Sequence, residues 1–128
     1  MALTSIDVIS FGYGHSAPPV ADVTLDLRLH FKDPHVDPAL RDLTAADMSV
    51  RRAVLTTPGI RELIAATALV ADAYEAGPIE APLTIAVGCV GGRHRAATVA
   101  MALANRLSKT GVPVRLTHRD LAKPTVKR

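Results

Sequence analysis

Cysteine is nearly absent: Cys89 is the only one in the chain. A single thiol cannot close an internal disulfide or build a multi-cysteine zinc site. Aromatic residues make up 3% and tryptophan is missing, which leaves too few rings for a base-stacking platform. No apolar run is long enough to cross a bilayer. The opening MALTSIDVISFG lacks a basic segment followed by a signal-type apolar stretch. These absences lead us to expect a cytoplasmic protein with no membrane contact. The five histidines stand without the tight pair spacing of a metal site, so neither a metal nor a cofactor is expected.

What is present fits one domain over residues 1–128. At 48% hydrophobic residues, the chain can fill a single core. Residues 6–11 are apolar and β-branched, and 23–29 (VTLDLRL) alternate apolar and polar side chains, so both read as strands. The second places Thr24, Asp26 and Arg28 on one face. FKDPHVDPALRDLT is a long loop of Asp-Pro turns. Thr44 is positioned to cap a helix running to about residue 55, and Pro58 to open another over 59–76. LTIAVG, residues 83–88, reads as a buried central strand. A helix over 96–107 and a last strand over 112–116 follow it. Strand, helix and strand on this scale imply a right-handed crossover and a parallel pair. The fold class is therefore α/β, a small and largely parallel sheet flanked by helices.

GCVGGRHR, between strand and helix, carries the chemistry. Ligands of α/β sheets bind where strand ends feed helix N-termini. Gly91 and Gly92 allow close backbone approach, and successive amides can form a nest that the helix dipole makes positive. Arg93 and Arg95 add fixed charge, and His94 adds a donor. The amides of residues 90–95 are expected to converge on an anion. The loop also fits the Cys-x5-Arg spacing of cysteine-dependent phosphatases, with Cys89 as nucleophile and Arg95 as clamp. Gly88 and Ala96 depart from that pattern, and only Asp33, Asp37 and Asp120 are candidate acids. A third reading is an interaction module whose loop merely holds a structural anion.

Net charge is +3, and the excess lies late in the chain: Arg115, Arg119, Lys123, Lys127 and Arg128 stand against Asp120. A basic end of this kind can meet a nucleic-acid backbone, or can simply be a solvated tail.

LTIAVGCVGGRHR resembles the LTVAIGCTGGxHRS signature of the RapZ family of RNase adapter proteins. DLRLHFKDPHVDPALRDLT resembles the family's DVRFLPNPHWDPELRPLTG, FGYGHSAPPVAD its FGFKYGIPxDAD, and HRDLAK its HRDLEK. The likeness spans nearly the whole chain and is specific to the family's C-terminal domain; the expectation is a free-standing form of it, without the P-loop kinase-like domain that precedes it in the family. It implies a fold like a phosphofructokinase subdomain and a regulatory pocket for glucosamine 6-phosphate. It also implies RNA binding through the basic end, at Arg119, Lys123, Lys127 and Arg128, which a homo-oligomer would strengthen by avidity. By position, Arg28, His35, Cys89, Gly91, Gly92, His94 and Arg95 fall on the family's ligand site, and Val90 and Arg93, in the same loop, complete the expected ligand-binding set. Val90 and Ala96 replace hydroxyl residues there, and one residue is inserted between Arg28 and His35. The expected ligand is therefore a phosphorylated small molecule, a phosphosugar or a nucleotide.

Overall fold

The computed structural model describes residues 2–127. The sheet has four strands: β1 (Leu3–Gly12), β2 (Val23–Asp26), β3 (Ala81–Cys89) and β4 (Val114–His118). Its spatial order is β2-β3-β1-β4, and every neighbouring pair is parallel. The helices are α1 (Met48–Leu55), α2 (Ile60–Glu75) and α3 (Arg95–Ser108). Together they give the expected α/β domain, a small parallel sheet flanked by helices.

Alternation along the two central strands decides where the core lies. Ile6 and Val8 of β1 share a face with Leu83, Ile85 and Val87 of β3, and these residues join one buried cluster with side chains from all three helices. Within it, Val50 and Val54 of α1, Ile60 and Ile64 of α2, and Val99 and Leu103 of α3 are fully or almost fully buried. Their spacing follows the helical repeat: α3 lays its apolar stripe on that sheet face, and α1 and α2 add theirs to the same core by packing against α3. Among the described residues, no single helix is long and apolar enough to span a membrane.

Three details differ from the sequence expectations. The strand expected over 23–29 stops at Asp26, because the Asp26 carboxylate accepts the Arg28 backbone N–H and turns the chain. The helix expected from Thr44 begins at Met48. Thr44 Oγ1 accepts the Ala46 amide and Asp47 Oδ2 accepts the Thr44 amide, so this stretch closes as a turn. Finally, β4 pairs with β1 rather than with β3. The crossover through α3 is parallel as expected, but it passes over β1, which already occupies the edge beside β3.

Candidate functional site

All four strands run the same way, so their carboxyl ends, at Gly12, Asp26, Cys89 and His118, share one edge. The loops leaving that edge build the site. The first is the turn from β3 into α3. Val90 O accepts the Gly14 amide and Arg93 O accepts the Ala45 amide, so two loop carbonyls are turned outward to neighbouring segments. Amides turn inward: Gly92 N and Ala96 N lie 3.3 and 3.4 Å from Cys89 Sγ. Of the amides of residues 90–95 expected to converge, Gly92 N is the one seen turned to the buried Cys89 sulfur, and Ala96 N joins it from the first turn of α3. Gly92 adopts φ +75°, and a side chain there would meet Gly12 N at 2.8 Å. Gly12 in turn lies against the Gly91 backbone, where an added Cβ would come within 2.4 Å of its carbonyl carbon. The loop is tight because backbone packs on backbone.

Beside the sulfur is a small cleft lined by Asp33, His35, Cys89, Gly91, Arg93, His94, Thr125 and Val126. Its volume is about 10 Å³, room for about one water molecule. His35, expected from sequence, reaches this cleft on the turn Pro34–Val36, which Asp33 caps by accepting the His35 amide. His94 sits 2.6 Å from the Leu43 carbonyl through Nε2. A carbonyl only accepts, so Nε2 carries the proton and Nδ1 is the acceptor of the neutral ring. Burial pushes the His94 pKa down, against the opposing pull of the Leu43 carbonyl and Asp33. Arg93 donates to Lys123 O at 2.9 Å and to Asp42 O at 3.2 Å, while its Nε is a buried donor with no partner among the described residues.

Arg95 is placed otherwise than expected. Its side chain is 2% exposed. Nη1 donates to Leu27 O, Arg28 O and Phe31 O at 2.9 to 3.1 Å, and Nη2 pairs with Asp33 at 3.3 Å. The guanidinium is an internal brace for the 27–33 loop, and its forked donors are taken up by that loop rather than turned to the cleft mouth. Arg28 is likewise not a cleft residue. Because β2 ends at Asp26, its guanidinium folds back onto the Asp26 carboxylate at 2.8 Å and lies 3.6 Å over the Tyr13 ring. Val90 contributes its outward carbonyl and does not line the cleft.

The basic segment also folds inward. Asp120, fully buried, accepts from Gly12 N at 2.7 Å, from Arg119 Nε at 3.0 Å, and pairs with Lys123 Nζ at 2.6 Å. Burial alone would raise its pKa, but these donors override that and hold it at about 2. Arg119 further donates to Gly12 O and Ser16 O. Two of the cations expected to meet RNA are therefore committed to the fold, Lys127 is exposed, and Arg128 lies outside the described residues. Thr125 and Val126 were not legible as cleft residues: neither carries charge, and nothing in PTVK marks a segment that packs on a distant loop. Asp33 and Asp120, candidate acids by sequence, are ion-pair partners of Arg95 and of Arg119 with Lys123.

Residues 4–122 match the model of the RapZ C-terminal domain. The chain belongs to that family. Similar curated proteins include a nucleotide-binding protein of a Parafrankia species, 43% identical over 120 residues, covering 91% of this chain and 41% of that protein. Another, from Thermobifida fusca, is 40% identical over 120 residues, covering 91% and 40%. One from Thermus thermophilus is 43% identical over 117 residues, covering 89% and 42%. The chain thus spans about two fifths of the length of the curated relatives it matches. The family match takes in the loop 89–95, the His35 turn and Asp120, and ends before Thr125 and Val126.

Proposed function

We propose that this RapZ C-terminal domain is a regulatory ligand-binding domain that holds a phosphorylated small molecule at the 89–95 loop. The observation that carries the reading is the inward-turned amide nest at the start of α3, flanked by Arg93, His94 and His35 in one cleft. Backbone amides, a helix N-terminus and a guanidinium are the donor set a phosphate dianion needs. The relatives' designation as nucleotide-binding proteins supports a nucleotide. The resemblance of the signature loop supports glucosamine 6-phosphate. RNA contact is a subordinate proposal for the basic segment, resting on Lys127 and Arg128 with Lys123 beside them. Calorimetric titration with glucosamine 6-phosphate and with ATP tests the pocket. His35→Ala and Arg93→Ala should each weaken binding about tenfold, the worth of one charge-assisted hydrogen bond. Absence of heat and of loop chemical-shift changes with both ligands would remove the proposal.

The amides around Cys89 Sγ also suit a nucleophilic thiolate, so a cysteine phosphatase is the second reading. Two features weigh against it. Arg95 is locked into the 27–33 loop and does not clamp the loop mouth. Asp120, at about 2, is held as a carboxylate and has no proton to donate near neutrality. We expect no hydrolysis of a phosphate ester above background. Turnover that vanishes in Cys89→Ser would overturn that expectation.

A further inference from the structure

We propose that residues 123–126 are a displaceable strap that closes the cleft, with Arg93 as its latch; the proposal rests on reading the 89–95 loop as an anion site. The first argument is volume. A space of about 10 Å³ holds about one water, and a phosphate group is several times larger, so one wall must move to admit it.

The second argument is which wall can move. The Cys89 side is fixed by the nest and by α3. The Asp33 side is fixed by Arg95, which grips three carbonyls of the same loop and pairs with Asp33 itself. His94 and the Arg93 carbonyl pin the neighbouring loop at Leu43 and Ala45. The fourth wall is Thr125 and Val126, in a stretch with neither helix nor strand. Its anchors include Arg93 Nη1 on the Lys123 carbonyl, the Lys123 turn onto Asp120, and Val126 seated in the notch at Gly14.

The third argument is the identity of the latch. Arg93, whose guanidinium holds Lys123 O, is also a lining residue of the cleft. A phosphate arriving there offers Arg93 a charged acceptor in place of a neutral carbonyl, and the charge-assisted bond is the stronger. Binding and release of the strap are then one exchange at one side chain. By linkage, whatever holds the strap away raises anion affinity, and an anion in the cleft loosens the strap.

The test needs no ligand, because the chain's only thiol lies in the floor of the cleft. Alkylation of Cys89 by iodoacetamide, followed by mass spectrometry, reports how often the cleft is open. Two variants open it differently. One deletes residues 123–128. The other is Gly14→Ala, whose new Cβ would stand 2.7 Å from a Val126 methyl and wedge the strap away. Ile64→Ala, a core change in the helix layer, controls for general loss of stability. Both strap variants should alkylate about tenfold faster than the parent, in proportion to the open fraction, and faster than the control. Should the deletion fail to fold by circular dichroism, Gly14→Ala alone decides. Rates no higher than that of Ile64→Ala overturn the strap. Titrating inorganic phosphate separates the two claims: fast alkylation that phosphate does not slow keeps the strap and removes the anion site.

Discussion

Asp120 shows how a residue that reads as an acid becomes a structural anion. It has no exposed surface, yet a backbone amide, a guanidinium and an ammonium all point at it. Its pKa, about 2, lies below the ordinary 3.8, so the stability it contributes is present above about pH 4 and is lost as pH falls toward 2. Asp120→Asn keeps the shape, removes the charge and should cost about 2–3 kcal/mol at pH 7. Urea unfolding at pH 7 and at pH 3 checks this: the gap between parent and variant should narrow in acid. A gap of equal size at both pH values would show that the carboxylate charge is not what matters. His94 behaves in the opposite sense. Burial depresses its pKa below 6.5, so the unfolded chain takes up the proton first and stability declines as pH drops below 6.5. His94→Gln retains an Nε2 donor for the Leu43 carbonyl without a titrating ring. Its unfolding midpoint should fall less between pH 7 and pH 5 than the parent's, and the remaining fall belongs partly to His118, which burial also depresses.

At the scale of elements, the turn from β3 to α3 was legible because its signals are local. An apolar strand, two glycines and a helix pattern all lie within a short stretch, and each has a backbone reason. Gly92→Ala tests that reason. At φ +75°, with Gly12 N 2.8 Å from the new Cβ, the variant should lose about 1–3 kcal/mol and displace the amide from Cys89. Thermal unfolding with an amide chemical-shift comparison at Gly12 measures both effects, and an unchanged midpoint would mean that the loop relaxes freely. What the sequence hid was non-local. Arg95 looked like a clamp because its neighbours are loop residues, but its partners are carbonyls more than sixty positions away. The order β2-β3-β1-β4 was hidden for the same reason: periodicity marks strands without ranking them across the sheet. Arg28 failed as a pocket residue through one hydrogen bond, from its own amide to Asp26, that ends the strand early. His35 reached the cleft because its turn is written in the Asp-Pro steps around it.

Across the whole molecule, the 15 lysines and arginines overstate the free basic surface. Arg28, Arg95, Arg115, Arg119 and Lys123 are each paired with an aspartate. In the last segment, Arg119 and Lys123 share Asp120 and Lys127 is exposed, so the proposed RNA contact rests on Lys127 together with Arg128, which lies outside the described residues. Each engaged cation adds about one unit to the salt slope of binding, so we expect a slope of about two for one chain and correspondingly weak affinity. With so few aromatic rings, stacking cannot supplement that affinity, and binding should vary little with sequence. Release of the strap would loosen the exposed Lys123 from Asp120 and raise the slope toward three, so phosphate occupancy and RNA affinity should move together in this domain. Changing Lys123, Lys127 and Arg128 together to Ala should abolish the salt-sensitive component in a gel-shift titration at low salt. Equal binding by the triple variant would move the RNA contact elsewhere on the surface. Binding by neither protein would leave the phosphate cleft as the domain's one ligand site.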